Sequence, residues 1–187
     1  MKFAKQLIAL AAVAAAFSVH AESDINTGPA VGALSAVAKL DFRVTVPKII
    51  FLQVGTGTSY SDVTTVDRVD FALTAADLTS GLAVTGVSTG GAINAKVLGN
   101  GGTVTFGAVG TAGGLTNGAQ TIPWSQIVPT ATGGTLVHPA ISGAATSLAA
   151  TAGVVNQNTV YSFNYSNTST VAAGTYNGQV VYTASVL

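Results

Sequence analysis

The fold class follows most directly from residues 40–54, which read LDFRVTVPKIIFLQV. Apolar and polar side chains alternate strictly over residues 40–46, which is the period of a β-strand with one buried face. Pro47 ends that strand, because proline has no N–H group to donate to a sheet. Residues 48–54 form a nearly continuous apolar run, which predicts a strand that is covered on both faces.

The same kind of short apolar run recurs along the rest of the chain, separated by Gly, Asn, Ser and Pro, as is typical of strands joined by tight turns. Further strands are predicted at residues 66–73, 82–87, 92–98, 103–109, 122–128, 135–137, 159–165 and 179–186. Only residues 140–152 have some helical character. About nine or ten strands without alternating helices predict an all-β protein, a single antiparallel immunoglobulin-like β-sandwich over residues 39–187.

Two local patterns sharpen this prediction. Residues 99–102 read GNGG, which predicts a hairpin between the strands on either side. Alternation also indicates which side chains face inward. We expect one set to be buried together: Phe42, Val44, Ile50, Leu52 and Phe71. In the strand at residues 66–73, the inner face is predicted to carry Val69, Phe71 and Leu73.

The first residues have the three parts of a secretory signal peptide. Lys2 and Lys5 supply positive charge, residues 7–19 are apolar, and Ala21 ends a small-residue cleavage motif. Residues 1–21 are therefore predicted to be removed, leaving 166 of the 187 residues. The apolar run is shorter than the roughly 20 residues of a membrane span. We expect the protein to be exported through the periplasm and to be secreted or held at the cell surface, with no membrane span after cleavage.

The charge content is very low for a globular protein. Only 7% of the residues are charged, against roughly 25% in typical domains. Without residues 1–21, five basic and seven acidic side chains remain, so no basic patch favours nucleic-acid binding. Residues 97–187 carry no formal charge apart from that of His138. Neighbouring copies therefore meet little electrostatic repulsion, and self-association is expected.

The segment of residues 22–38 precedes the first clear strand and is rich in small residues. We predict that it is an N-terminal extension that adds as a donor strand to a neighbouring subunit. The alternatives are a disordered leader or a first strand of its own domain.

Catalytic chemistry finds little support in the sequence. The chain has no cysteine, so disulfides and thiolate catalysis are excluded. His138 is the only histidine after residue 21, and no Gly-x-Ser-x-Gly nucleophile motif accompanies it. We interpret His138 as a loop residue before Pro139. No catalytic, cofactor-binding or metal-binding residue is assigned, and the protein is predicted not to be an enzyme.

Three weaker possibilities stay open at this stage. The acidic residues of the middle region offer oxygen ligands for Ca²⁺ or solvated edge charges: Asp62, Asp67, Asp70 and Asp77. Three lysines could form an intramolecular Lys–Asn crosslink: Lys39, Lys48 and Lys96. The aromatic residues of the last strands could pack in the core or form a platform for stacking sugars: Tyr161, Phe163, Tyr165, Tyr176 and Tyr182.

Two stretches carry a family resemblance. Residues 42–55 with residues 66–71 resemble small secreted immunoglobulin-like proteins of Gram-negative bacteria. Residues 172–183 are similar to the last strands of fimbrial and spore-coat-U-type subunits. The chain lacks the cysteine pair of chaperone–usher pilins, and Tyr182 is not penultimate. The resemblance implies an immunoglobulin-like surface subunit and leaves its assembly route open.

Together these observations predict a non-enzymatic structural subunit of an extracellular filament, fimbria, coat or matrix. Its expected partners are other copies of itself and possible other surface subunits. The alternative is a monomeric secreted binding module for a carbohydrate or another surface polymer.

Overall fold

The computed structural model describes residues 23–57, 60 and 66–186. Within them the chain is an all-β protein with twelve strands, and every strand pairing is antiparallel. The predicted fold class is thereby confirmed, while its immunoglobulin-like character stays a prediction. The predicted signal peptide, residues 1–21, lies outside the described residues.

The chain divides into two compact units, Met1–Val46 and Pro47–Leu187. In the described part of the first unit, residues 23–46, no helix or strand is formed and every residue is exposed. The strand predicted at residues 40–46 is therefore wrong for the single chain. A strand requires a partner for its N–H and C=O groups, and residues 40–46 have none in strand pairing.

The second unit holds all twelve strands. They are β1 (Ile50–Gly55), β2 (Val69–Asp70), β3 (Val84–Thr85), β4 (Val87–Ser88), β5 (Ile93–Gly99), β6 (Val104–Gly110), β7 (Leu115–Thr116), β8 (Thr121–Ile122), β9 (Ile127–Thr132), β10 (Thr146–Leu148), β11 (Val155–Tyr165) and β12 (Val180–Val186). One sheet has the order β1-β5-β11-β3, and β9 also pairs with β11; the other has the order β10-β6-β12. The pairs β2-β4 and β7-β8 are small additional ladders.

The core lies between the inward faces of these two sheets, where alternation places the apolar residues. On β11, Tyr161, Phe163 and Tyr165 are buried on one face. On β5, Ala95 and Val97 are almost completely buried. The alternation that the sequence shows in both segments is the pattern of a half-buried strand.

The turn predicted at residues 99–102 joins β5 to β6, but it does not form a hairpin. β5 pairs with β1 and β11, whereas β6 pairs with β10 and β12. The chain thus crosses from one sheet to the other at this turn. Glycine chemistry specifies the reversal, with Gly102 at a φ of 106°, but it does not specify which sheet the next strand joins.

The predicted inner set is only partly correct. Phe42 and Val44 are 86% and 85% exposed, and Ile50 is 42% exposed. Leu52 and Phe71 are half-buried and pack against the core. The inner face predicted for residues 66–73 is confirmed, since its three apolar residues pack against the core cluster.

Helix also forms where the sequence did not suggest it. Residues 140–152 contain β10 and no helix. The helix α1 (Ala75–Ser80) begins at Thr74, whose hydroxyl accepts a bond from the Asp77 N–H while the Asp77 carboxylate accepts one from the Thr74 N–H. This reciprocal capping box satisfies N–H groups that would otherwise lack partners at the helix start.

Candidate functional site: an uncovered flank of the core

In the three-stranded sheet, the side chains that face the core are less buried on the outer strand β12 than on the central strand β6. On β6, Val104 and Phe106 have no exposed surface. Their partners across the ladder are Val186 and Ala184 on β12, which face the same core. Both of these residues remain partly exposed. The core-facing side chains of β6 are therefore fully covered by other residues, whereas those of β12 are only partly covered.

In the larger sheet, the core-facing side chains of the end strand β1 are likewise less buried than those of its neighbour β5. Ala95 and Val97 on β5 are 1% and 0% exposed. Their partners on β1, Val54 and Leu52, pack against the core but are only half-buried. Each sheet thus ends in a strand whose inward side chains lack part of their cover.

β1 and β12 are neighbouring strands across the two sheets. Among the described residues, β1 pairs only with β5, and β12 pairs only with β6. The other edge of each strand therefore carries backbone N–H and C=O groups without a partner in any described ladder. Part of each edge faces the other strand, since Cα atoms of β1 and β12 approach within 8 Å of each other.

A groove of about 550 Å³ opens beside these strands. Its wall is mainly apolar and includes Val54, Val69, Phe71, Leu115, Trp124 and Tyr182. Asp67, Arg68 and Gln179 supply its polar groups. We name the groove together with the free edges of β1 and β12 the open flank.

A histidine supports one wall of the open flank. The Nε2 atom of His138 lies 2.7 Å from the Tyr182 hydroxyl, and Nδ1 lies 2.6 Å from the Pro139 carbonyl oxygen. Because a carbonyl oxygen only accepts, Nδ1 carries the hydrogen of the neutral ring and Nε2 accepts from the Tyr182 O–H. The prediction of a loop residue before Pro139 thus missed a contact with a strand 44 residues away.

Aromatic rings enclose this histidine. The His138 ring packs edge-on against Tyr161 at 4.7 Å, Tyr182 at 5.4 Å and Phe163 at 5.5 Å between centroids. Burial lowers the pKa of His138, and its bond to the Pro139 carbonyl offsets part of that effect. Burial likewise raises the pKa of Tyr161 and of Tyr182. The ring cluster is therefore neutral at physiological pH.

The structure separates the roles of the acidic residues. Asp67 accepts bonds from the Thr56 N–H and hydroxyl, Asp70 pairs with Arg68 at 2.7 Å, and Asp77 caps α1. Asp62 lies outside the described residues. In the part of the chain that the structure describes, no three His, Asp or Glu side chains come together as a metal-binding group.

The aromatic residues do not form an exposed platform. Tyr161, Phe163 and Tyr165 are buried, and Tyr176 and Tyr182 are half-buried against the core. A ring that stacks on a sugar needs an accessible face, so the sugar platform proposed for these side chains is wrong for the three buried rings. Their role in the single chain is packing.

Of the lysines considered for a crosslink, Lys96 lies opposite Asn158 on the neighbouring strand. The site is a polar depression of about 410 Å³ on the outer face of the larger sheet, and its described lining residues are Gln, Asn, Thr, Gly, Ala, Val and Lys96 itself. Lys48 lies beside Gly101, and Lys39 is exposed in the first unit. The described lining of the Lys96 site supplies no carboxylate to assist an amide-forming step.

Comparison with known proteins gives no match: no family model, no curated protein and no solved structure is significantly similar to the chain. Among the helices that the structure describes, none has both the length and the apolar character needed to cross a membrane.

Proposed function

We propose that this protein is a non-enzymatic structural subunit of an extracellular filament, fimbria, coat or matrix, and that it assembles by donating a strand-like segment to another copy. The single observation that supports this most is the exposure of residues 40–46. Leu40, Phe42, Val44 and Val46 are 66%, 86%, 85% and 71% exposed. Their alternation would place all four on one face of a strand.

In a monomeric protein, a row of large apolar side chains exposed to water is unfavourable in free energy. Full burial of one such side chain contributes roughly 1.5–3 kcal/mol. Contiguous exposed apolar surface commonly marks a site that another surface covers. The intervening residues are polar: Asp41, Arg43 and Thr45. Burial against another surface would therefore be favourable for only one face of this segment.

The donor is thus proposed to be residues 40–46, which we name the donor segment, in place of residues 22–38. Residues 23–38 are also exposed and without helix or strand. They lack the strict alternation of apolar and polar side chains that would give a strand one buried face. The low charge of residues 97–187 supports close packing of copies, because little repulsion opposes it.

Sedimentation of the mature protein tests this proposal. We expect oligomers or filaments at both low and high salt, since backbone pairing and apolar burial do not depend on ion pairs. The double variant Phe42→Ser, Val44→Ser should be folded but monomeric. The matched control, Arg43→Ser, Thr45→Ser, changes the opposite face and should still assemble. A wild-type protein that remains monomeric at high concentration would reject self-assembly.

A monomeric carbohydrate-binding module is the second candidate. It is favoured by the polar depression around Gln53, Asn94, Lys96 and Asn158. The three side-chain amides can donate to and accept from sugar hydroxyls, and the lysine ammonium group can donate to them. Titration of the monomeric variant with a panel of bacterial surface glycans tests this function. Saturable binding that is lost in Asn158→Ala would support it, and no binding would reject it.

A further inference from the structure

Three asparagines of the chain are followed directly by glycine: Asn100, Asn117 and Asn177. Because glycine has no Cβ atom, its backbone nitrogen can approach the preceding side chain without steric hindrance. We propose that Asn117 is a self-modification site, at which the Gly118 nitrogen attacks the Asn117 side-chain amide and the asparagine becomes aspartate or isoaspartate. Water is the co-reactant. This inference does not depend on the proposed function.

The side-chain carbonyl group of Asn117 is polarised by the fold. Asn117 lies just after β7, in the exposed turn that leads to β8. Its Oδ1 atom accepts hydrogen bonds from the Ala119 N–H at 3.1 Å and from the Gln120 N–H at 2.8 Å. Attack on the amide carbon places negative charge on that oxygen. Backbone donors at these distances form the arrangement of an oxyanion hole, and their bonds strengthen as the charge develops.

The attacking nitrogen and the leaving amide are not held by the sheets. Gly118 lies outside every described ladder, and within the described residues its N–H donates only to the hydroxyl of exposed Thr116, at 3.1 Å. Attack therefore breaks no bond of a strand pairing. The Asn117 Nδ2 group donates no hydrogen bond to any residue that the structure describes. Its departure as ammonia therefore breaks no contact of the fold.

The reaction takes up one water and releases one ammonia for each asparagine converted. The Gly118 nitrogen loses its proton to a base of the solvent and forms a bond to the Asn117 Cγ atom. The bond from Cγ to Nδ2 then breaks, and Nδ2 takes up a proton and leaves as ammonia, so that a cyclic imide remains. Water adds to either imide carbonyl carbon and breaks its bond to the Gly118 nitrogen, which regains a proton. Opening at Cγ gives aspartate, and opening at the backbone carbonyl carbon gives isoaspartate.

The other Asn–Gly pairs provide comparisons within the same chain. Asn100 is bonded at both ends of its amide, since Oδ1 accepts from the Ile49 N–H and Nδ2 donates to the Pro47 carbonyl, each at 2.7 Å. Its leaving group is therefore held. Asn177 has no side-chain hydrogen bond to a described residue, and its backbone N–H and C=O both bond to Thr116 at 2.9 Å. It lacks the donors on Oδ1, and its backbone is fixed. The pair in the β7–β8 turn is therefore expected to react first.

The product changes the charge of a region that is otherwise uncharged. Residues 97–187 carry no formal charge apart from that of His138. Each modified copy gains a carboxylate there, at the exposed turn between β7 and β8. In the isoaspartate product the main chain also runs through the Cβ atom, which lengthens the turn. The modification would thus add negative charge to the protein as it ages.

Peptide mapping by mass spectrometry tests the site, because it times all three Asn–Gly pairs in one sample. The full-length mature protein is incubated at mildly alkaline pH, either folded in buffer or unfolded in guanidinium chloride, and is then digested at acid pH. In the unfolded chain we expect similar rates at the three pairs, since each asparagine precedes glycine. In the folded protein Asn117 should react at least about tenfold faster than Asn100 or Asn177, and no slower than in the unfolded chain.

The variant Asn117→Gln is the matched control. Glutamine keeps the amide but would have to close a larger and less favourable ring, so residue 117 should stay unmodified while Asn177 reacts as before. Isoaspartate among the wild-type products identifies the imide route, because direct hydrolysis by water gives aspartate alone. A folded protein in which Asn117 reacts more slowly than in guanidinium chloride, or is overtaken by Asn100 or Asn177, would overturn the site. Aspartate without isoaspartate would overturn the attack by Gly118.

Discussion

Acid should destabilise the second unit through one residue, His138. The ring accepts a hydrogen bond from Tyr182 and packs against Tyr161 and Phe163. Protonation would place a proton on Nε2, so the Tyr182 hydroxyl would have to turn and accept, and a positive charge would be buried among the aromatic rings. Burial lowers the pKa of His138 below its usual value of 6.5. The neutral form is therefore the one that the folded state favours.

The sign of the pH dependence follows from proton uptake. Below about pH 6.5 the unfolded chain binds a proton at His138 that the folded chain still rejects, so the free energy of unfolding falls as pH falls. The slope for one group is at most about 1.4 kcal/mol per pH unit. It ends at the lowered pKa of the folded state. Tyr161 and Tyr182 stay neutral in this range, since burial raises the pKa of each.

Urea unfolding of the monomeric variant at pH 8, 7, 6 and 5 measures this slope. His138→Gln is the matched comparison, because its amide oxygen can accept from Tyr182 and has no proton to gain. We expect the variant to lose most of the decline between pH 7 and pH 5. The other histidine, His20, lies in the predicted signal peptide. An unchanged slope in His138→Gln would refute the assignment.

Three further predictions concern stability and are measured by urea unfolding of the monomeric variant. Phe106→Ala removes a ring with no exposed surface and should cost about 3–5 kcal/mol, whereas half-exposed Leu52→Ala should cost less; the reverse order would contradict the burial gradient at β1. Gly134→Ala should be destabilising, because its Cβ would lie 1.8 Å from the Asn158 carbonyl oxygen, and an unchanged midpoint would show that the backbone moves aside easily. Thr74→Ala removes the cap of α1 and should cost about 1 kcal/mol; no loss would mean that α1 forms without it.

The sequence predicts strands better than it predicts their partners. The alternation in β11 and the inward face of residues 66–73 could be read correctly, because each depends on local spacing of apolar side chains. The same spacing at residues 40–46 predicted a buried strand, yet Phe42 and Val44 are exposed. The alternation of apolar and polar residues shows which face of a strand is suited to burial. It does not show whether the same chain or another molecule buries that face.

The open flank could not have been predicted from local patterns. It arises where β1 ends one sheet and β12 ends the other, and these strands are more than a hundred residues apart in the sequence. The contact between His138 and Tyr182 is likewise long-range. The turn after β5 shows the same limit, since its glycines specify a reversal but not the change of sheet.

Hydrogen exchange tests the central claim most directly, since it reads backbone pairing in the assembled protein. The account predicts that the amides of residues 41–46 become protected as protein concentration rises and oligomers form. Residues 24–38 should continue to exchange rapidly, and the variant Phe42→Ser, Val44→Ser should show no protection at any concentration. Oligomers in which residues 41–46 still exchange as fast as an unfolded peptide would contradict the account.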